Sequence, residues 1–404
     1  MTLSRLLTRK SLRILGVNSG TSADGLDFAL LELSDNPRGR LRIKPLATGS
    51  ASYSPEIRAL ALHLADTPSV APEELALADE ALGEFTGRRV RTFLRRCQKN
   101  GFTVDCIALH GQTVRHHPQR RRIANFPVNT TLQLTSPERV AALTERIVIS
   151  HFRQADTALG GEGAPITTGA VAAALGGGAE SRVILNLGGI ANYFYLPAQR
   201  LHSQAQAVDI GPANVLLDQS AARLFGEPFD RHGARAGAGS VNTQLLRLAR
   251  RICADKSTTT RSTGRERFGP AVLETILQAA GQAGLSAADT QATIAEATAL
   301  TIAEQVNKLA RRDRSLGVIY LTGGGLQNRD LVRRLQAALD NLVLQPISKL
   351  GYSPKFFEAS CFAILGYFGL RGRPAAAAGE RTSRRRAPIL GRITQPPVKL
   401  SGKR

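Results

Sequence analysis

The chain has 404 residues, 43% hydrophobic and 21% charged, with a formal net charge of +21. That length exceeds one ordinary core and predicts two domains of roughly 150–200 residues each, while no apolar run approaches the ~18 residues of a membrane span. After position 370 ten Lys or Arg face one Glu, so the tail carries +9 and the rest +12. No RRM, KH or zinc-finger pattern accompanies this charge, which favours anionic small molecules over a specific nucleic-acid or membrane partner.

Residues 1–11 are basic, lack an acid and read as a flexible extension, with apolar pieces too short for a secretory signal. Two strands, 12–19 and 26–33, flank a loop of small and hydroxylated residues. Pro72 opens a helix to about Cys97, with Leu77, Leu82, Phe85, Phe93 and Leu94 on its apolar face. A buried-type strand, 104–109, runs into HGQTVRHHP, and Arg120, Arg121 and Arg122 then read as a solvated loop. A helix near 137–146 and a strand, RIVISHF, follow. At 182–196 the opening pattern returns as RVILNLGGIANYFYL, an internal repeat that predicts two similar domains.

Helices are expected at 212–225, 241–254 and about 287–312, the last capped by Ser286. VIYLTGGGLQNRDLVRRLQAAL reads as a strand, a triple-Gly turn opening a helix, and that amphipathic helix. A final apolar helix spans 356–370, and 371–404 is rich in Pro, Ala, Gly and Arg and reads as a disordered tail. Strands alternating with helices give an α/β class. The expected division is domain I at 12–155, completed by helix 356–370, and domain II at 156–355. Cys97, Cys106, Cys253 and Cys361 form no C-x-x-C pair and read as reduced thiols, with Cys97 and Cys361 in the core.

Several residues could carry chemistry. SGTSADGLD between two strands reads either as an ordinary turn or as a phosphate loop. There is no G-x-x-x-x-G-K-[ST] motif and no G-x-G-x-x-G after the first strand. Gly323, Gly324 and Gly325 favour a ligand lying against backbone. Asp209 precedes a Gly-Pro turn and a helix, so it is equally a base or metal ligand and a helix cap. HGQTVRH offers donors and acceptors for sugar hydroxyls, Arg153 and Asp156 read as a local ion pair, and Glu162 could face a ligand.

Together SGTSADGLD, HGQTVRH, FRQAD with GGEGAP, LNLGGIAN, DIGPAN with LLD, FDRHGA, STGRERF, LTGGGLQN and EASCFAILG resemble the anhydro-N-acetylmuramic acid kinase family, over about residues 13–370. The resemblance implies the two-domain actin-like ATPase fold, duplicated ribonuclease-H-like domains around an interdomain cleft. It implies conversion of 1,6-anhydro-N-acetylmuramic acid to its 6-phosphate with ATP and Mg²⁺, the anhydro ring being opened by water, in cytoplasmic recycling of cell-wall sugar by a homodimer. Asp209 matches the catalytic base. Gly20, Thr21, Ser22, Ala23, Asp24, Gly25, Leu26 and Asp27 match the ATP loop; Asn186, Gly188 and Gly189, with Gly323, Gly324, Gly325 and Asn328, complete the nucleotide site. His110, Gln112, Thr113, Arg153, Glu162, Asn214 and Glu358 are implied for the sugar, and Asp209 with Glu358 for the metal.

The chain departs from the family pattern at His151 for Asp, Glu162 for Gln and Ala213 for Gly. These changes leave the exact sugar open. A levoglucosan-type anhydrosugar kinase and a catalytically impaired sugar- or nucleotide-binding relative stand as alternatives.

Overall fold

The computed structural model describes residues 2–20, 22–198, 205–254, 268–375 and 387–398. The chain forms two compact units, residues Met1–Ala174 with Phe356–Arg404, and Leu175–Lys355. The first strands are β1 (Ser11–Ser19), β2 (Gly25–Asp35), β3 (Leu41–Ser52), β4 (Cys106–His110), β5 (Gln112–Ile123), β6 (Phe126–Leu134) and β7 (Ile147–Ser150). β1, β2 and β3 form an antiparallel meander, β4 lies parallel beside β1, and β7 parallel beside β4. All five residues of β4 are buried, as expected of a central parallel strand covered on both faces.

The second unit contains β8 (Arg182–Leu187), β9 (Ile190–Leu196), β10 (Gln206–Pro212), β11 (Val318–Thr322) and β12 (Val343–Pro346). β8, β9 and β10 are again an antiparallel meander, with β11 parallel to β8 and β12 parallel to β11. Each unit thus places its third, second, first, fourth and fifth sheet strands side by side. That shared order is the ribonuclease-H-like topology, so the repeat read from two hairpins is a duplication of whole sheets.

Helix Phe357–Leu370 returns the chain to the first unit and is buried almost all round. Gly16 on β1 lets it dock, since a Cβ there would strike the carbonyl oxygen of Ala359. Helix Pro72–Lys99 buries Ala78, Leu82, Val90, Phe93 and Cys97. Leu77, expected on that face, is 64% exposed. All four cysteines are buried and unpaired. Ser286 caps helix Ala287–Arg312 through the Asp289 N–H, as its position predicts.

Four expectations are corrected. Residues 1–11 include a helix, Leu3–Thr8, whose Leu6 is buried, with Arg371 Nη1 donating to the Leu7 carbonyl at 2.7 Å. The tail contributes strand β13 (Arg392–Thr394), antiparallel to β7, with Leu390 buried beneath it; residues 376–386 and 399–404 lie outside the described residues. Arg120, Arg121 and Arg122 belong to β5, which forms a separate two-stranded ribbon with β6. The first unit extends past residue 155 to Ala174. It does so because Asn129 on β6 donates to the Gly161 carbonyl at 2.6 Å and Asp156 accepts from the Gly163 N–H at 2.7 Å.

Candidate active site

In the first unit the functional side chains gather where β1, β4 and β7 end, the carboxyl edge that open α/β sheets use for ligands. β1 ends in Asn18 and Ser19, and Asn18 sits opposite His110, the last residue of β4. Asn18 Nδ2 donates to Glu358 Oε2 at 3.0 Å. Glu358 lies in the first turn of its helix and is open to solvent. Desolvation of its carboxyl raises the pKa, against the pull of Arg153 and of the Asn18 bond.

The loop after β1 is tied at its base. Ser19 Oγ donates to Gln112 Oε1 at 2.6 Å and lies 2.7 Å from the Tyr53 hydroxyl. Gln112 Nε2 donates to the Gly20 carbonyl at 3.3 Å. Burial pushes the Tyr53 hydroxyl up to about 12, only partly offset by Ser19, so it stays a neutral hydrogen-bonding group. Gln112, expected at the sugar, is therefore a strut beneath the loop, with 1% of its surface exposed. Thr113 Oγ1 accepts from Gln133 on the neighbouring strand. Within the loop Ser22 Oγ donates to Asp24 at 2.9 Å, Ala23 has a positive φ of 51° and is buried, and Leu26 and Asp27 already belong to β2. Gly20 has room for a Cβ, whereas one at Gly25 would enter the β3 backbone at Ala51 and Ser52. Thr21 lies outside the described residues.

Arg153 and Asp156, read as an ion pair, both grip Gly163. Arg153 Nη1 donates to its carbonyl at 2.7 Å and the Asp156 carboxylate accepts its N–H at 2.7 Å. Glu162 sits half-buried inside this clamped turn. Arg153 Nε also donates to His110 Nε2 at 3.0 Å. Burial, then the nearby Arg153 charge, hold the His110 imidazole well below its ordinary pKa, and Phe362 stacks on the ring at 4.4 Å between centroids. Phe362 escaped the sequence reading, although it stands one helical turn after Glu358 and so shares its face.

In the second unit Asp209 lies on β10 opposite Asn192, beside a bulge before Gly211, and is half-buried. The helix that follows, Asn214–Phe225, has Ala213 at its N-cap and no side-chain cap bond. The Gly189 carbonyl accepts from the N–H groups of Ala213 and Val215, and the Gly188 carbonyl from that of Asn214. These N–H groups at the start of the helix are thus capped by the β8–β9 loop. Asn214, expected at the sugar, donates through Nδ2 to the Leu187 and Gly188 carbonyls at 2.9 and 2.8 Å.

The triple-Gly turn leads into a short 3-10 turn, Gly324–Gln327, and the helix proper starts at Arg329. Asn328, expected at the nucleotide, is its N-cap and accepts from the Leu331 N–H at 3.0 Å. Gly323 has φ 85°, and a Cβ there would meet Asn186 Oδ1 and the Leu187 backbone; one on Gly325 would meet the Leu187 side chain. Two of the three glycines thus serve the close approach of this turn to β8. Gly324, like Gly189, faces open space.

Two ribonuclease-H-like units, each carrying polar hairpin loops and a carboxylate at the ligand-binding edge of its sheet, define a phosphotransferase of the actin-like ATPase class. The sequence profile of anhydro-N-acetylmuramic acid kinase matches residues 12–396, which takes in β13 and corrects the limit of 370. An anhydro-N-acetylmuramic acid kinase of Salinibacter ruber is 35% identical over 391 residues, 96% of this chain and 98% of that protein. Those of Xanthomonas oryzae and Shewanella baltica are each 34% identical, covering 92% and 95% of this chain and 96% and 99% of theirs. The chain belongs to the anhydro-N-acetylmuramic acid kinase family.

Proposed function

We propose that the chain is an ATP-dependent kinase that opens 1,6-anhydro-N-acetylmuramic acid with water and phosphorylates it to N-acetylmuramic acid 6-phosphate, as a cytoplasmic homodimer in cell-wall sugar recycling. The observation that carries this reading is Asp209, a half-buried carboxylate on a bulged strand just before a helix whose first N–H groups are taken by the Gly188 and Gly189 carbonyls. Asp209 takes a proton from a water molecule, whose oxygen attacks the anomeric carbon. The bond from that carbon to O6 breaks, and O6 attacks the γ-phosphorus of ATP with loss of ADP. The positive charge that develops on the ring favours a nearby carboxylate.

The loop from Gly20 to Asp27, braced by Gln112 and Tyr53, receives the phosphates. The open faces of Gly189 and Gly324 admit the nucleotide close to backbone. Among the described residues no three His, Cys, Asp or Glu cluster as metal ligands. Mg²⁺ is commonly held by one or two carboxylates and the substrate's own phosphates. Asp209 or Glu358 would supply the carboxylate, and the ion would neutralise phosphate charge when bound.

One observation favours a second reading. N-acetylmuramic acid carries a lactyl carboxylate, and Glu162 adds a negative charge to the turn clamped by Arg153 and Asp156. A neutral anhydrosugar such as levoglucosan escapes that repulsion.

The test follows ADP and sugar 6-phosphate with ATP, Mg²⁺ and each anhydrosugar. Asp209→Asn should lower turnover by about 10²–10⁴-fold, the usual worth of a general base. Faster turnover of levoglucosan, reversed by Glu162→Gln, selects the second reading. ATP binding with no turnover of either sugar defeats both.

A further inference from the structure

His110 has little surface to offer a ligand. Its residue is 6% exposed, one ring face lies against Phe362 at an interplanar angle of 24°, and Nε2 accepts from Arg153 Nε at 3.0 Å. The same guanidinium donates through Nη1 to the Gly163 carbonyl at 2.7 Å, while Asp156 takes the Gly163 N–H and Asn129 the Gly161 carbonyl. The turn that carries Glu162 is thus held from three sides, and only the Arg153 grip depends on a long side chain with many rotamers.

We infer that His110 is a positioning residue and not a sugar contact: it accepts from Arg153 Nε and so aims the guanidinium at Gly163, fixing the turn that faces the sugar. This deepens the proposed anhydrosugar kinase reading and rests on it for the identity of the ligand.

An imidazole suits this task better than a carboxylate. It offers an acceptor without cancelling the Arg153 charge, which still draws the Glu358 carboxyl down. Burial and the Arg153 charge keep the ring unprotonated, so Nε2 stays an acceptor. Phe362 fixes the ring plane, and the end of β4 fixes where the ring begins.

The test uses His110→Phe, which keeps an aromatic ring against Phe362 but has no acceptor, and His110→Gln, whose amide oxygen can accept. Thermal melting first establishes that both variants are folded. His110→Phe should raise the sugar KM about tenfold, the worth of a hydrogen bond to a charged group, with the ATP KM within about twofold of the parent. His110→Gln should recover most of the loss, and His110→Phe combined with Arg153→Lys should be no worse than Arg153→Lys alone. Parent-like kinetics in His110→Phe, an equal rise in both KM values, or failure of Gln to rescue overturns the inference. A second arm needs no turnover. In ¹⁵N NMR of the full chain, His110 Nε2 should show the shift of an unprotonated acceptor and Arg153 Nε–H should be slow to exchange, a protection lost in His110→Phe. If the protein turns over no anhydrosugar, the kinase reading has failed and this arm decides alone; a protonated Nε2 at neutral pH overturns the proposal.

Discussion

His116 is half-buried on β5, and burial followed by the Arg153 and His117 charges lowers its pKa from 6.5 to about 4. The unfolded chain therefore binds a proton between those values that the folded chain does not. Stability from this group is full above 6.5 and is lost as the pH falls towards 4. The loss is about 3 kcal/mol, and chemical denaturation across this range should show a flatter pH dependence in His116→Gln. Gly323→Ala meets both an unfavourable φ and Asn186, so it should cost about 1–3 kcal/mol and raise the ATP KM more than the sugar KM. An unchanged melting temperature would contradict this. The types of these residues were visible in the sequence, but their partners were not. Gln112, Asn214 and Asn328 were expected at ligands from the family resemblance, Gln112 also from the polar run HGQTVRH; in the structure each turns onto backbone or a neighbouring side chain. Sequence spacing cannot decide between those uses. Asp209 stood out in the sequence because it sits on a strand just before a helix, but whether it caps that helix or serves a ligand was not legible there.

At the level of elements, β13 is the clearest case of local sequence misleading. Arg, Pro and Ala around it predict disorder, yet Arg392, Ile393 and Thr394 pair with Ser150, Ile149 and Val148 of β7. Leu390, 2% exposed, anchors the segment. Leu390→Ala should destabilise the first unit by about 2–5 kcal/mol, read as a lower denaturation midpoint. An effect under about 0.5 kcal/mol, the range of ordinary surface changes, would mean that β13 is not part of the cooperative fold. The hairpins β1–β2 and β8–β9 and the long helices were legible because their apolar periods are strong. β3 was not, because most of its residues are only partly buried or exposed and Pro45 and Gly49 interrupt it. The β5–β6 ribbon was hidden by three consecutive arginines, and it turns at Ala124 and Asn125, both with positive φ.

The whole molecule repeats one sheet order in two units with separate cores, Leu15, Leu82 and Ile107 in one and Leu185, Leu216 and Ile302 in the other. Two hairpins half a chain apart foretold that duplication, although only the strand order proves it. A kinase of this kind is stabilised by its nucleotide. At a free ATP concentration about a hundred times Kd, unfolding should cost about 2.7 kcal/mol more, seen as a raised melting temperature. No shift at saturating ATP would contradict nucleotide binding. The central claim is that Asp209 directs water to the anomeric carbon while O6 takes the phosphoryl group. The direct measurement is a reaction in H₂¹⁸O with ATP, Mg²⁺ and 1,6-anhydro-N-acetylmuramic acid, the sugar 6-phosphate being trapped as its open-chain alcohol before mass analysis. One ¹⁸O should appear on the anomeric carbon and none in the phosphate ester, with the rate of labelled product lowered about 10²–10⁴-fold in Asp209→Asn. Label in the phosphate, or an undiminished rate of labelled product in Asp209→Asn, would contradict the claim.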